Sequence, residues 1–459
     1  MKKKQQPVLF VDGGALFFSH PRLTPNRMET ARVTARGIAR AMAAMGIEAI
    51  GVSPYDLAGG AEFLKKLATE EKLPLLSANL VRTRDNQPLF SPYRIALAGR
   101  TRVAFIGLTG PLQKEPESLS LRPWQEILPP LLAKVGSQSD MIVLLSSMPR
   151  QINEEIAARY KTVHIIIQAG QHGGNLAPQN INNTLLCQTS GRGKYLGMLD
   201  ITWNSSKEWQ KSPQQNPAAL QSRLDRVIWQ MERLKKRYAK EGLTENPHYL
   251  RLQKEKKRLE NILAELTGNG AGQGQSTCTF SNHFLAMETS LPEDREIRAI
   301  VDKTRREVNR INRTIQQQQR QTNEKVLRTF STMAGGQRCK ECHPGQVAFY
   351  LRTDHARAWQ TLVQRDQQYN PDCIACHVTL PDYSQVKVRD EVLLTSLPAR
   401  FQNVGCEACH GPSLAHANDP DKVLPKRPKA TTCRQCHTAK RDPKFNFTGK
   451  KTKIQCPAG

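Results

Sequence analysis

At 459 residues the chain has room for two or three domains, each able to bury its own core. Its 38% hydrophobic content supports such cores, yet no run approaches the roughly 18 uninterrupted apolar residues that a membrane-spanning helix requires. The 67 basic and 41 acidic side chains leave +26, a surplus that suits nucleic acid, an anionic membrane surface, or acidic partners and cofactors. Much of it sits on predicted helices (Lys235, Lys236, Arg237; Lys254, Lys256, Lys257, Arg258; Arg305, Arg306, Arg310, Arg313), where a solvated face is the plainest reading.

The start, MKKKQQPVLFVDGGALFF, has a basic stretch and an apolar run. Asp12 and two glycines interrupt that run and no small-residue cleavage site follows, so it reads as a β-strand entering a loop rather than a signal peptide. Through residue 205, near-continuous apolar runs alternate with amphipathic stretches. VLFVD, EAIGVS, PLLSANLV, RVAFIGLT, MIVLLSS, VHIIIQAG, NTLLCQTS and LGMLDITW read as strands. NRMETARVTARGIARAMAAMG, GGAEFLKKLATEEK, WQEILPPLLAKVG and INEEIAARY read as the helices between them. The pattern predicts an α/β domain over residues 1–210 with a sheet covered on both faces.

Residues 211–276 change character. Leu220, Leu224, Val227, Met231, Leu234 and Tyr238 keep one apolar seam on a helix; after a break at 241–247, Leu252, Leu259, Leu263 and Leu266 continue on a second. The short break predicts an antiparallel hairpin, and GNGAGQGQ after it a flexible linker. Residues 277–330 follow as a strand around STCTF and a long polar helix from about Pro292 to Arg328.

Residues 331–459 carry four C-x-x-C-H sequences. They are Cys339, Cys342 and His343; Cys373, Cys376 and His377; Cys406, Cys409 and His410; and Cys433, Cys436 and His437. Two thiols three positions apart can add to the two vinyl groups of one haem, and the next histidine then meets the iron. Zinc ribbons or redox C-x-x-C pairs use the same cysteine spacing, but neither needs a histidine after each pair or four repeats. The motifs therefore predict four covalently bound haems c, whose faces supply the core that this apolar-poor region lacks. The only other histidines here, His355 in TDHARAW and His416 in CEACHGPSLAH, are the candidates for distal iron ligands, with His283 upstream as a further one. At least one iron is then left for a different ligand or an open site. Of the 11 cysteines, Cys187, Cys278 and Cys456 remain, enough for at most one disulfide. Haem attachment implies an exported, periplasmic setting, hence a true start upstream of Met1, and excludes nucleic acid as the partner of the basic surface.

CEACHGPSLAH, HARAW and PKFNF resemble the multihaem cytochromes related to the tetrahaem cytochrome of hydroxylamine oxidation, over roughly residues 331–450. The resemblance implies a small, mostly helical domain of closely stacked haems that pass electrons, with mixed coordination. Residues 8–205 resemble the calcineurin-like metallophosphoesterases of the 5′-nucleotidase branch, carried by VLFVDGGALFF, MGIEAIGVSPYDLAGG, LPLLSANLV, VAFIGLTG, MIVLLSS and GKYLGMLDITW. That resemblance implies an α/β/β/α sandwich with two metals between its sheets. The family's metal-binding positions fall on Ala15, Ser53-Pro54-Tyr55-Asp56, Ser147 and Gly170, leaving Asp12, Asp56 and His172, too few to hold two ions.

The expectation is an electron carrier with a phosphoesterase-like scaffold whose metal site is degenerate, docking acidic redox partners or a membrane surface. A haem-based reductase of a small nitrogen or sulfur compound, and a metal-dependent nucleotidase, stand as alternatives.

Overall fold

The computed structural model describes residues 6–113, 117–170, 174–191, 193–210, part of 221–234, 246–288 except 269–276, 290–319, 330–381, 397–438, 441–442 and 445–457. The chain divides into two compact units. One comprises Met1–Leu23 with Ile38–Ile297, the other Thr24–Gly37 with Arg298–Gly459, so the division falls inside the first helix, α1 (Pro25–Ala44).

In the first unit, β1 (Val11–Asp12), β2 (Ala49–Gly51) and β3 (Leu75–Leu76) form a parallel three-stranded sheet. A six-stranded mixed sheet has the order β10 (Leu176–Ile181), β11 (Thr184–Gln188), β9 (Ile165–Gln168), β8 (Met141–Ser146), β6 (Thr101–Leu108), β5 (Tyr93–Ala98). β4 (Leu80–Arg82) pairs with β7 (Leu119–Leu121), and β12 (Tyr195–Thr202) with β13 (Thr279–Ala286), both antiparallel.

The two larger sheets pack face to face through β2, β3, β6 and β8. Their shared core holds Ala49, Leu76, Phe105, Val143, Leu145 and Ile165, joined by Leu199, Ile201 and Phe280 from the β12–β13 ribbon. On the far face of the six-stranded sheet, Leu128 and Leu132 of α3 (Trp124–Gly136) and Ile156 of α4 (Arg150–Arg159) pack on Ile106, Ile142, Leu144 and Ile166. A strand buried on both faces has no polar alternation, which is why MIVLLS, buried at all six positions, reads as an unbroken apolar run. α2 (Ala61–Glu70) buries Leu64 and Leu67. Trp209 closes the open end: its indole N–H donates to the His164 carbonyl at 2.8 Å, and its ring meets Trp203 and Phe280 edge-on.

Part of the predicted helical hairpin lies within the described residues. Leu224, Val227 and Met231 pack with Leu252 and Leu259, the latter two on α5 (Pro247–Gly268). Leu220, Tyr238 and the GNGAGQGQ segment lie outside the described residues.

The second unit is mostly helical. α6 (Arg295–Gln319) is its long element, and α1 approaches it so closely at Gly37 that a Cβ there would collide with Thr304. α7 (Gly336–Cys342), α8 (Pro344–Tyr350), α9 (Ala358–Val363), α10 (Pro371–His377), α11 (Cys406–His410), α12 (Leu414–Asn418), α13 (Ala430–Arg434) and α14 (Phe447–Ile454) are all short. Its small core joins Phe330, Met333, Leu362, Ile374, Val378, Leu380 and Phe401. No described helix of either unit is long and apolar enough to cross a membrane.

Candidate functional site

Each C-x-x-C-H sequence sits on one helical turn. In the first and fourth, the histidine N–H closes the turn onto the first cysteine's carbonyl, His343 to Cys339 and His437 to Cys433, both at 2.9 Å. A helical turn puts positions i and i+3 on one face, so the two sulfurs of each pair present together with the histidine next to them.

The eight motif cysteines are not equally accessible. Cys342 is exposed, whereas Cys339, Cys373, Cys376, Cys406, Cys409, Cys433 and Cys436 are half-buried. Cys376 lies in the last turn of α10, one residue before His377. Cys436 follows the end of α13, where its N–H donates to the Cys433 carbonyl at 3.2 Å, and with Cys373 it borders the small apolar core of this unit. The motifs also adjoin one another. Cys339 of the first lies beside Cys406 of the third, and Cys409 of the third near Cys433 of the fourth. Burial and these sulfur neighbours push the Cys409 thiol up to about 11; burial first, then Cys406 and Cys409, push the Tyr350 phenol up to about 12.

The histidines are oriented by what their Nδ1 atoms touch. His377 Nδ1 lies 2.8 Å from the Ala358 carbonyl, His410 Nδ1 3.0 Å from that of Lys426, and His416 Nδ1 2.6 Å from that of Val423. A carbonyl only accepts, so each Nδ1 carries the proton and each Nε2 keeps a free lone pair. That is the arrangement that metal-ligating imidazoles adopt. His437 differs: its Nδ1 faces the carboxylate Oδ2 of Asp442 at 3.0 Å, and the Phe445 ring stacks on the imidazole with centroids 4.7 Å apart and planes at 20°.

Two histidine pairs face one another. His343 and His416 have ring centroids 6.1 Å apart, and His355 and His437 have them 6.2 Å apart. Two imidazoles bound to opposite sides of one metal through bonds of about 2 Å place their centroids about 6 Å apart. Both pairs therefore have the spacing of bis-imidazole ligation, and the donor set fits haem iron. His355 lies on a single 3-10 turn (Asp354–Arg357); burial first, then His437, hold its imidazole below the usual range. His377 and His410 are brought opposite no second imidazole among the described residues. His283 is on β13 in the first unit, its Nε2 3.4 Å from Ser281 Oγ and 3.7 Å from Asp200.

Sequence reasoning does not single out Asp442 or Glu407. Asp442 is an acidic residue five places after a motif histidine in a basic stretch, which is the only hint available. Glu407 occupies a variable position of the third motif, and its burial to 4% exposure could not be read from spacing.

At the strand ends of the first unit, Asp56 is 1% exposed and its carboxylate accepts the backbone N–H groups of Ala15, Leu16, Phe17 and Ser53, at 2.9, 2.9, 3.1 and 2.9 Å, plus the Ser53 hydroxyl at 2.8 Å. Burial pushes this carboxyl up while the donated hydrogens pull it back. Asp12 accepts the Gly14 N–H at 2.8 Å, and burial pushes its carboxyl up to about 7. Ser77, Asn79 and Thr109, and Ser147 at one of the positions the family uses for a ligand, are bonded among themselves and to nearby backbone: Ser77 to Thr109 at 2.7 Å, Asn79 to the Thr109 carbonyl at 2.8 Å, Ser147 to the Gly110 N–H at 2.9 Å. These residues do not fit a two-metal centre. Among the described residues no three His, Cys, Asp or Glu side chains converge as a metal-ion site; His172 lies outside them.

Cys187, Cys278 and Cys456 all stand as thiols. Cys187 is pushed up to about 12 by burial.

Comparison with known proteins finds similarity in both halves of this description. The chain is 27% identical over 148 residues to the uncharacterized metallophosphoesterase YunD of Bacillus subtilis, covering 31% of this chain and 32% of that protein. It is 26% identical over 113 residues to cytochrome c-554 of Nitrosomonas europaea, covering 21% of this chain and 46% of that one. It thus spans about a third and under half of these relatives' lengths. Among solved structures, sulfate thiohydrolase SoxB of Thermus thermophilus matches at 24% identity and a TM-score of 0.38, over 42% of this chain and 36% of that one. Residues 338–411 match the family described as Cytochrome c554 and c-prime, so the chain joins a cytochrome c-554-like segment to a metallophosphoesterase-like one.

Proposed function

We propose that the chain is an exported electron-transfer protein whose residues 331–459 hold four haems c through four cysteine pairs: Cys339 with Cys342, Cys373 with Cys376, Cys406 with Cys409, and Cys433 with Cys436. His343, His377, His410 and His437 would each bind an iron next to their cysteine pair, and His416 and His355 would supply the second imidazole where they face His343 and His437. When bound, haem supplies a one-electron centre whose potential its axial ligands set. The protein's part is to hold the imidazoles by their Nδ1 atoms, to pack the motifs close together, and to present a basic surface that steers acidic redox partners. The observation that carries this reading is the pairing of His343 with His416 and of His355 with His437 at about the spacing one iron would span.

The first unit serves in this reading as a scaffold or binding module without hydrolytic chemistry, because its strand-end polar groups are used up on one another and on backbone. Production in a bacterial host that exports and matures c-type cytochromes tests the whole. The expected product is red, four haems heavier than the polypeptide, and shows the thioether form of haem in alkaline pyridine. Colourless protein of unmodified mass from a competent host overturns it.

One observation favours a second reading, a reductase of a small nitrogen or sulfur compound. The six histidines of residues 331–459 are four motif histidines plus His355 and His416, so within that stretch His377 and His410 have no imidazole left to share an iron with. A high-spin iron signal that shifts when nitric oxide or cyanide is added supports an open site; spectra indifferent to both exclude it.

A further inference from the structure

The histidines of the second unit are not held alike. Where His377, His410 and His416 point Nδ1 at backbone carbonyls, His437 points Nδ1 at the carboxylate of Asp442, 3.0 Å away. The difference is built into the local chain. The Asp442 N–H closes a turn onto the Thr438 carbonyl at 2.8 Å, and the Phe445 N–H bonds the Asp442 carbonyl at 3.1 Å. Asp442 thus brings its carboxylate to the Nδ1 edge of the ring and Phe445 its phenyl to the ring's face. Phe445 fixes the ring plane, so the Nδ1–H···Oδ2 direction is set rather than averaged.

We infer that Asp442 is a positioning residue that would lower the reduction potential of the haem held by Cys433, Cys436 and His437, through its hydrogen bond to His437. This deepens the haem reading and rests on it. The physical cause is charge. A carboxylate draws the Nδ1 proton more strongly than a neutral carbonyl does, which gives the imidazole part of the character of its anion. A more basic ligand stabilises the oxidised over the reduced iron, so the reduction potential falls. His355 on the opposite side adds a second imidazole, which acts in the same direction.

Spectroelectrochemistry of the full-length haem-loaded protein tests this, comparing wild type with Asp442→Asn and Asp421→Asn. Asn is isosteric with Asp and keeps an oxygen for Nδ1–H, but it carries no charge. Asp421→Asn removes an equal charge from a position with no histidine contact, which separates the hydrogen bond from a general change in field. The expected result is that one redox step of D442N moves to higher potential, that the spin-resonance signal of one low-spin iron changes with it, and that D421N matches wild type. The haem content of D442N stays at the wild-type level. Four unshifted steps in a D442N protein of full haem content overturn the inference alone. Equal shifts in D442N and D421N also overturn it. Wild-type protein without haem overturns the underlying reading, and this one with it.

Discussion

Glu407, inside the third C-x-x-C-H sequence, grips the backbone just ahead of the first: its Oε2 accepts the Gly335 N–H at 2.8 Å. Its other oxygen takes the N–H groups of Ala334 and Ser413, both at 2.8 Å. Gly335 has φ +82°, a conformation that a side chain would strain, so the chain turns into α7 at that point because glycine allows it. The buried carboxylate thereby sets the first motif against the third, whose sulfurs Cys339 and Cys406 meet. Glu407→Ala leaves three backbone donors unmatched, each at a cost of about 1–3 kcal/mol where water cannot reach. We expect it to lower the stability of the second unit by on the order of 3 kcal/mol, and Glu407→Gln by less. Thermal melts followed at the haem absorption bands measure both. An E407A protein that melts with wild type removes the clamp.

Asp56 is the corresponding anchor in the first unit. Its five accepted hydrogen bonds fasten the loop of residues 15–17 to Ser53 and take up the lone pairs of its carboxylate. Asp56→Ala is therefore expected to cost several kcal/mol of stability, as a lost buried network does. Metal should have no corresponding effect. Manganese or zinc added to the wild type, or a chelator, is expected to leave the melting temperature of the first unit unchanged and to elicit no phosphate release from nucleotides. Stabilisation by metal together with hydrolysis of a nucleotide would restore the phosphoesterase as a working enzyme.

Asp12 gives this unit a pH dependence of definite sign. Desolvation in its half-buried setting pushes its carboxyl up to about 7 in the folded chain, from an ordinary aspartate value of 3.8. The folded state therefore binds a proton more tightly than the unfolded state. Stability from this group is full below about pH 4, declines as pH rises toward 7, and is level above that. Asp12→Asn keeps an oxygen for the Gly14 N–H and removes the titration. The stability of D12N relative to wild type should thus grow between about pH 4 and 7, by up to a few kcal/mol. Chemical denaturation of both proteins across that range measures the difference. A difference that stays flat shows that water reaches Asp12.

How far the sequence could be read depended on the kind of signal. MIVLLS and WQEILPPLLAKVG were legible because burial on two faces or on one helical stripe leaves a periodic mark, and the structure has β8 and α3 there. β5, β7 and β10 were not. Tyr93–Ala98 and Leu176–Ile181 lie at the two edges of the six-stranded sheet, half exposed, and their mixed polarity carries no period. The C-x-x-C-H spacing was legible because the chemistry it would serve, two thioethers to one haem and a histidine beside them, fixes it. The partners of those histidines did not: Asp442, Phe445 and the carbonyls of Ala358 and Lys426 act by where the chain brings them. The surroundings of the sulfurs were equally hidden, since nothing in the spacing separates Cys436, set against the core, from the exposed Cys342. His355 and His416 could be nominated by elimination, but not which faces which motif.

That pairing leads to the sharpest test of the second unit. If His416 and His343 share one iron and His355 and His437 another, each distal histidine governs a different centre. His416→Ala and His355→Ala should each convert one low-spin iron to high spin while leaving the haem content unchanged, since the thioethers do not depend on the distal ligand. Added imidazole, filling the space left by the ring, should return each to low spin. In the double variant the two conversions should add, because the pairs have no ligand in common. Optical and spin-resonance spectra of the three variants read this directly. Should H355A and H416A abolish the same low-spin signal, or should either lose a haem outright, the assignment of these rings to opposite sides of separate irons is wrong.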